Sequence, residues 1–460
     1  MGRTRRRRKL KRTNCFETCN YSSDLNMLNS WLSKSGIQRS KKLVLTIFSD
    51  CNRGVLTKKR IRAGDELLSL PLNLTINVTT LLMDEEFCAI FLDSNILSQM
   101  RYKQAISFQC LLAFYLLFLK VQGNSSKWYL YMQSLPKVYS TVPYFLTNET
   151  KKFLDPNILC VIEKQQHIIN SAYNLFHDLL NVAIIKNEYK SAYMFKSTFN
   201  KSDFEWAYFT VNTRCVFMDL TNLLNLTHMQ HTILSIINDN TKISLCPFLD
   251  MINHSAYAKN ETKLIVNKEL NSLPVVHLKE NLLSKVNFSI YTKTTFEAYS
   301  QVFICYGDSY NLKLVTEYGF YIASNNLDYV PIEYEQIVTF LNSINKKVSQ
   351  DQYKCISKHG LDKDLYVDIK GMSFNLYGLL IVIKYFYRKD VDVSQLLYSA
   401  AICSYDRELF DLIKPILMKK LIDMEYNVCQ LQKFDKCAAL CNCIVLMCQC
   451  IKILKKFCKY

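Results

Sequence analysis

Four short segments of the sequence carry side chains that could bind a charged ligand and orient a reacting group. An amide, an imidazole and a hydroxyl stand together in Asn253-His254-Ser255, shortly after Asp250. A tyrosine precedes a glycine in Tyr306-Gly307, a guanidinium precedes a glycine in Arg53-Gly54, and a second guanidinium closes the stretch that ends at Arg214. Taken one by one, these segments have ordinary explanations, such as a polar turn or a buried strand. Their order along the chain indicates a common site.

The spacing of the glycines argues against one large group of enzymes. The chain has 10 glycines, and none of them lies close enough to another to form a Gly-x-Gly-x-x-Gly motif or a P-loop. Those loops need closely spaced glycines so that backbone N–H groups can approach a phosphate. A dinucleotide-dependent or nucleoside-triphosphate-dependent enzyme is therefore not expected.

The segments, in this order, resemble those of the SET-domain protein-lysine methyltransferases, and within them the Rubisco large-subunit methyltransferase class. The resemblance depends on Asp-x-x-Asn-His-Ser at 250–255, on an aromatic strand at 303–306 that ends in Tyr-Gly, and on Tyr318-Gly319-Phe320 after it. It covers about residues 43–320, a range that includes another matching stretch at 206–214. It implies an α+β fold, in which a SET-domain β core of small sheets with a threaded pseudoknot is split by a large helical insertion and followed by an all-α C-terminal domain.

The elements that must position these segments are predicted from periodicity and turn residues. Apolar and β-branched runs predict strands at 43–47, 59–78 with a turn at 62–66, 211–218, 263–266, 275–278, 288–292 and 302–306. Helical spacing predicts a helix at 25–32, a block at about 81–209, a helix at 311–318 that Gly319 ends, and a mostly helical remainder. The predicted domains are a basic disordered arm at 1–24, a SET catalytic domain at 25–330 and a helical, substrate-binding-like domain at 331–460.

The resemblance implies S-adenosyl-L-methionine as the cofactor. This molecule carries a carboxylate, an ammonium and a sulfonium, so its pocket needs a cation, amide groups and aromatic faces rather than a phosphate loop. By resemblance, Arg214 pairs with the carboxylate, while Asn253 and His254 hold the ammonium and the adenine. The cofactor-binding residues that the resemblance implies are Arg53, Gly54, Arg214, Asn253, His254, Tyr306 and Phe320.

The reaction that the resemblance implies is methyl transfer to the side-chain amine of a lysine in a protein, either a histone or a non-histone protein. This reaction is an in-line displacement that needs no metal and no covalent intermediate, so positioning does most of the work. Tyr306 is the predicted catalytic residue, because its hydroxyl would orient the amine and the methyl group. Tyr208 and Tyr318 would wall an aromatic channel for the lysine, and Asp250 would meet the substrate.

Two places depart from the family pattern and keep alternatives open. Asn52 replaces the first glycine of Gly-x-Gly, but asparagine is the non-glycine residue that best tolerates a left-handed backbone, so cofactor binding should survive. Ser300-Gln301 stands where Gly-Glu is usual, which should affect a turn rather than a ligand. The alternatives are a catalytically weak SET-fold scaffold or reader, and a methyltransferase that acts on a histidine side chain.

The charge of the chain is concentrated at its N-terminus. The formal net charge is +17, and the first twelve residues include eight of the 57 lysines and arginines. Such an arm is attracted to phosphate, which suggests nucleic-acid contact or nuclear targeting; the other explanation is a solubilising tail. No apolar signal region follows the arm, so the predicted location is the nucleus and the cytoplasm.

Membrane and metal sites are not predicted. The charge-free stretches 105–119 and 437–451 have 15 residues each, fewer than the ~20 that a bilayer-spanning helix needs. The spacing of Cys441, Cys443 and Cys448 matches a zinc motif of other SET enzymes, but Ala256 stands where a further ligand is required. The 18 cysteines are therefore interpreted as free thiols, and the pair at His228 and His231 as a solvated loop.

Overall fold

The computed structural model describes residues 16–18, 23–49, 52–91, 102–186, 190–221, 223, 232–266, 283–390, 392–398 and 407–458. The chain divides into two compact units. The first contains Met1–Val138 and Gln166–Asp308, and the second contains Tyr139–Gln165 and Ser309–Tyr460. The predicted strand at 275–278 and the pair at His228 and His231 lie outside the described residues.

The strands of the first unit form two small antiparallel sheets, one parallel pairing and a short two-stranded ladder. Their bounds, in chain order, are β1 Phe16–Thr18, β2 Gln38–Arg39, β3 Leu43–Phe48, β4 Asn52–Thr57, β5 Glu66–Pro71, β6 Cys215–Phe217, β7 Ile243–Leu245, β8 Asn253–His254, β9 Asn260–Val266, β10 Val286–Thr292 and β11 Gln301–Ile304. One sheet has the order β1-β3-β4-β11-β8 and the other β2-β5-β10-β9, while β6 pairs with β7.

Strand β11 brings the sequence motifs together. It pairs antiparallel with β4, where Gln301 lies opposite Leu56, and parallel with β8, where Phe303 lies opposite Asn253. The chain segments around residues 53 and 253 are therefore neighbours on the two sides of one strand. A parallel partner far away in sequence requires a long connection, and here the connection includes β9 and β10.

The helices of the first unit surround an aromatic core. Phe114 and Phe176 stack with their ring centroids 4.0 Å apart, and Phe114 also contacts Phe195 at 4.9 Å. This packing confirms the predicted helical block. The helices that lie wholly or partly in this unit are Ser23–Lys34, Val78–Met83, Glu85–Ala89, Phe108–Gln122, Tyr129–Ser134, Pro156–Lys186, Lys190–Thr198, Lys201–Arg214 and Thr232–Ser235. Short 3-10 turns occur at Leu72–Leu74, Gly123–Ser125 and Leu249–Met251.

The predicted strand at 211–218 is wrong over its first half. The helix Lys201–Arg214 continues to Arg214, and only Cys215–Phe217 is extended. Asn200 caps the helix by accepting the Asp203 N–H, and the hydroxyls of Thr210 and Thr213 donate to carbonyls four residues back. The hydroxyls of these two β-branched threonines therefore have partners within the helix.

The N-terminal boundary also differs from the prediction. Residues Phe16–Thr18, inside the predicted disordered arm, form β1 and pair with β3, and the first helix begins at Ser23. The strand predicted at 59–78 is shorter in the structure, where it comprises Glu66–Pro71. Asn77 caps a helix that begins at Val78, so the end of the predicted range is helical.

The C-terminal segment of the second unit begins at Ser309, before the predicted boundary at residue 331. The buried Asn311, near the start of this segment, is bonded to residues further along it. The Asn311 amide donates to Asp328 Oδ2 at 2.6 Å and to Gln449 Oε1 at 2.8 Å. Gly319, at φ +76°, ends the preceding π-helical turn, as predicted. The helical elements are Pro143–Phe145 (3-10), Asn148–Lys151, the start of Pro156–Lys186, Asn311–Lys313, Leu314–Tyr318 (π), Tyr334–Ser343, Gln350–Lys358, Phe374–Tyr385, Val393–Tyr398, Arg407–Asp411, Lys414–Leu431 and Ala438–Cys458.

Two predictions for the second unit need correction. It is not all-α, because β12 Tyr329–Pro331 pairs antiparallel with β13 Tyr366–Asp368. The helix Ala438–Cys458 has 21 residues, and an 18-residue window within it has a mean hydropathy of 1.7, so among the described residues it is long and apolar enough to cross a membrane. The helix is longer than the charge-free stretch of 15 residues at 437–451, so the argument that this segment is too short to span a membrane does not hold. The helix buries Leu440, Leu446 and Leu454 and packs against Lys414–Leu431, as a core helix would.

Candidate active site

The carboxamide of Asn253 lies at the centre of the candidate site. Its Nδ2 donates to the Arg53 carbonyl at 2.9 Å and to Gln301 Oε1 at 2.7 Å. A backbone carbonyl can only accept, so the contact with Arg53 establishes which end of the amide is the nitrogen. Both amide hydrogens are used in these two bonds. Any ligand donor that approaches Asn253 therefore meets the carboxamide oxygen.

Gly54 has no room for a side chain because of the same cluster. A Cβ at this position would lie 2.6 Å from Gln301 Oε1, 2.8 Å from Asn253 Nδ2 and 3.0 Å from the Phe48 ring. These distances are below or at the limit of normal carbon contacts. The glycine therefore allows strand β4 to lie directly against the Asn253 amide.

His254 and Tyr306 are joined through the backbone. The Tyr306 N–H donates to His254 Nδ1 at 3.0 Å, and the two rings lie 5.1 Å apart. Nδ1 must be unprotonated to accept this bond. Burial lowers the pKa of the His254 imidazole below its ordinary value of 6.5, although the negative charge of Asp308 opposes this shift. The neutral imidazole is therefore the form that the site stabilises.

Acidification is expected to weaken this part of the site. Because the folded-state pKa of His254 is lowered, its stabilising contribution is present above the unfolded-state pKa and is lost as the pH falls through the folded-state pKa. Histidine ring NMR signals followed against pH, with the His254 signal assigned from a His254→Gln variant, should give a midpoint below 6.5 for His254. A midpoint at or above 6.5 would contradict the buried neutral imidazole.

The hydroxyl of Tyr306 is directed at a backbone carbonyl beside the motif. It donates to the Ile252 carbonyl at 2.7 Å, and the side chain is half-buried. The hydroxyl oxygen thus has a defined position next to Asn253. Gly307, which follows Tyr306, has a positive φ of +113°. This geometry suits a hydroxyl whose role is to orient another group.

Arg214 and Asp250 form a buried ion pair. Arg214 Nη1 lies 3.0 Å from Asp250 Oδ2 and 3.2 Å from the Asp250 carbonyl, and the Tyr131 hydroxyl donates to the same Oδ2 at 3.0 Å. The Asp250 side chain is 0% exposed. The Asp250 carboxylate is enclosed by these partners. The prediction that Asp250 meets the substrate stays a prediction. The predicted role of Arg214 as partner of the cofactor carboxylate stays a prediction.

The two departures from the family pattern have different structural effects. Asn52 has φ +63°, which confirms that asparagine takes a left-handed conformation here. In the turn before β11 the left-handed residue is Tyr299, at φ +66°, rather than Ser300. Gln301 is not merely a turn residue, because it contacts Asn253 directly. The expectation that Ser300-Gln301 would leave the ligand-binding residues untouched is therefore wrong.

The remaining predicted site residues are Tyr208 and Tyr318, which lie on helices, and Phe320, which follows the end of a helical turn. Tyr208 is buried on the helix Lys201–Arg214, with its ring 5.3 Å from that of Phe209. Tyr318 and Phe320 lie in the second unit, with their ring centroids 6.1 Å apart. The first unit therefore gathers Arg53, Gly54, Arg214, Asn253, His254 and Tyr306, while the roles of Tyr208, Tyr318 and Phe320 in binding stay predictions.

The cysteines of the possible zinc motif cannot converge. Cys441, Cys443 and Cys448 all lie on the helix Ala438–Cys458, where Cys441 is exposed and Cys443 is buried. Residues two apart on a helix point in nearly opposite directions. Within the described ranges, no group of three metal-binding side chains is found.

Sequence reasoning missed two residues of this site. Gln301 was assigned to a turn, although a polar residue at the start of an otherwise apolar strand is a signal that could have been used. Tyr131 lies 119 residues before its partner Asp250 and carries no local signal. Its contact with the site depends on how the insertion packs.

Comparison with known proteins supports the family resemblance. No protein-family model matches the sequence. The chain is 28% identical over 430 residues to SET domain-containing protein 4 of Artemia parthenogenetica, covering 93% of this chain and 95% of that protein. It is 24% identical over 345 residues to Ribosomal lysine N-methyltransferase set11 of Schizosaccharomyces pombe, covering 75% and 71%. These matches confirm the resemblance predicted from the motifs.

The fold has a counterpart among solved structures. The crystal structure of the SET domain of LSMT bound to lysine and AdoHcy matches with a TM-score of 0.62 at 17% identity, over 96% of this chain and 91% of that chain. At this level of identity the match concerns the fold. The predicted SET-domain fold is confirmed.

Proposed function

We propose that this protein transfers a methyl group from S-adenosyl-L-methionine to the side-chain amine of a lysine in a protein substrate. The observation that carries the proposal is the meeting of Arg53-Gly54, Asn253-His254 and Tyr306 around strand β11 of a SET fold. The matched solved SET domain is bound to lysine and AdoHcy, and one matched relative is named as a lysine N-methyltransferase. The fold, the site residues and the relative that is named as a lysine N-methyltransferase support this activity class.

The side chains present fit the cofactor. Asn253 has both amide hydrogens in use, so it offers an oxygen acceptor that suits an ammonium group. Arg53 and Arg214 supply positive charge that suits a carboxylate, and Gly54 allows β4 to lie directly against the Asn253 amide. When bound, S-adenosyl-L-methionine supplies a methyl group on a positively charged sulfur.

The chain's own groups would act mainly by orientation. Tyr306 holds its hydroxyl against the Ile252 carbonyl, which fixes the position of the hydroxyl oxygen beside the motif. An amine attacks only in its neutral form, and a half-buried site disfavours the charged ammonium. The Tyr306 oxygen and nearby carbonyls can then align the amine with the methyl group, which is where positioning lowers the barrier.

The finer assignments belong to the same proposal. Histones are one candidate substrate class, and the basic N-terminal segment supports contact with nucleic acid and a location in nucleus and cytoplasm. The net charge of +17 disfavours basic substrate tails and favours acidic partners. We therefore propose non-histone proteins alongside histones. The burial of Leu440, Leu446 and Leu454 supports a core role for the helix Ala438–Cys458, so no membrane partner is proposed.

The test begins with cofactor binding. Calorimetric titration of the full chain with S-adenosyl-L-methionine and S-adenosylhomocysteine should show binding, and Asn253→Ala should weaken it because the oxygen acceptor is lost. Labelled methyl transfer to nuclear and cytosolic extracts, followed by hydrolysis to amino acids, should yield methyl-lysine. No binding by the unmodified protein would favour a scaffold or reader. Label in methyl-histidine would overturn the lysine assignment.

A further inference from the structure

One short helix of the insertion contacts Arg53 directly and is connected to Arg214 through Asp250. The helix Tyr129–Ser134 ends in a backbone carbonyl, that of Ser134, which accepts a hydrogen bond from Arg53 Nη1. From the same helix, the Tyr131 hydroxyl donates to Asp250, the carboxylate that pairs with Arg214. The helix Tyr129–Ser134, which is far from the motifs in sequence, therefore bonds directly to the Arg53 guanidinium and reaches the Arg214 guanidinium through Asp250.

We propose that the helix Tyr129–Ser134 sets the orientation of Arg53 and Arg214, and that Tyr131 is a positioning residue that holds Arg214 through Asp250. The inference rests on the proposed function, since it assumes that Arg214 faces the cofactor carboxylate. It adds a residue from the insertion to the site. Tyr131 itself touches neither cofactor nor substrate.

The geometry gives Tyr131 a specific task. Asp250 Oδ2 accepts from both Tyr131 and Arg214, at 3.0 Å each, while Oδ1 is fully buried and has no hydrogen-bond partner among the described residues. Tyr131 is 0% exposed, so water cannot replace its hydroxyl. A buried carboxylate needs both a counter-charge and hydrogen bonds to stay ionised. Removing the hydroxyl would leave Arg214 as the single hydrogen-bond donor described for the carboxylate.

The ionisation of Asp250 should depend on this bond. Burial raises the pKa of the Asp250 carboxyl, whereas the charge and hydrogen bond of Arg214, the hydrogen bond of Tyr131 and the charge of Arg53 lower it. The thiols of Cys215 and Cys246 also face the carboxylate, and burial raises the pKa of each, so they stay neutral. Loss of the Tyr131 hydroxyl should therefore raise the Asp250 pKa further, and the ion pair with Arg214 should weaken as the pH falls.

The test compares two tyrosine-to-phenylalanine variants of the full chain. Tyr131→Phe should bind S-adenosylhomocysteine at least about tenfold more weakly than the unmodified protein, because a hydrogen bond to a buried charge is lost. The loss should grow towards acidic pH. Binding of 5′-methylthioadenosine, which lacks the amino-acid carboxylate, should not change. Tyr115→Phe is the matched control, since it removes an equally buried bond, from Tyr115 to Asp84 Oδ2 at 2.9 Å.

The outcomes separate this inference from the proposed function. If the unmodified protein binds no S-adenosylhomocysteine, both fall. If it binds and Tyr131→Phe binds equally well, or if both ligands are weakened equally, the inference alone is overturned. Should Tyr131→Phe fail to fold, Asp250→Asn replaces it; a loss of S-adenosylhomocysteine affinity without dependence on pH is then expected, and unchanged affinity would overturn the positioning role.

Discussion

Tyr306→Phe is expected to lower turnover about 100-fold or more, because a misplaced reacting group costs roughly that factor. The hydroxyl is the atom that the substitution removes, and it is held at 2.7 Å from the Ile252 carbonyl beside Asn253. The backbone N–H of Tyr306 still donates to His254 in the variant, so the packing of the motif is retained. Affinity for S-adenosylhomocysteine should therefore change little. Turnover with a methyl-accepting protein and calorimetric affinity for S-adenosylhomocysteine measure the two quantities separately.

The control for Tyr306→Phe is a tyrosine in the other sheet of the same unit. Tyr291, on β10, bonds through its hydroxyl to Glu66 and has no contact with the motif residues named above. Tyr291→Phe should keep full turnover. Full turnover in Tyr306→Phe would rule out the orienting role of its hydroxyl, and a parallel loss of cofactor affinity would indicate that the hydroxyl serves binding instead.

Gly54→Ala is expected to give the second large effect, at least about a tenfold loss of affinity for S-adenosylhomocysteine, with a loss of stability of about 1–3 kcal/mol from overpacking. The new Cβ would lie 2.8 Å from Asn253 Nδ2, which is held by the Arg53 carbonyl and cannot retreat without breaking that bond. Gln301 is an extended side chain and can move aside more readily. The carboxamide oxygen of Asn253 is therefore displaced from its position. Calorimetry and thermal unfolding measure the two effects.

A crowded glycine elsewhere provides the matched control. A Cβ at Gly378, on a helix of the second unit, would lie 2.9 Å from Leu361 Cδ2 and 3.0 Å from Leu397 Cδ2. Gly378→Ala should lower stability without changing cofactor affinity. Gly54→Ala combined with Gln301→Ala should recover part of the stability but not the affinity, because Gln301 also holds Asn253. Unchanged affinity in Gly54→Ala would show that the close packing of β4 on Asn253 has no part in binding.

The motif residues and their order could be identified without coordinates. Whether a residue tolerates a left-handed backbone conformation depends on its own side chain. The left-handed conformations of Asn52, at φ +63°, and Gly319, at φ +76°, could therefore be predicted from the residue types. Apolar periodicity likewise predicted the helical block, whose Phe114 and Phe176 stack at 4.0 Å. These properties depend on each residue and its near neighbours, which are written in the sequence.

The partners of the site residues were decided by tertiary structure. Periodicity reports that a face is buried but not what it is buried against, so the pairing of Asp250 with Arg214 and Tyr131 could not be predicted from it. The strand predicted at 211–214 is the end of a helix, in which the hydroxyls of Thr210 and Thr213 bond to carbonyls one turn back. Gln301 and Tyr131 reach their partners across 48 and 119 residues, and only the register of β11 and the packing of the insertion bring them there. The sequence by itself determined which side chains could bind the cofactor and orient the amine, whereas the fold decided which side chains hold them in place, because hydrogen-bond partners far apart in sequence are specified only by the packing of the whole unit.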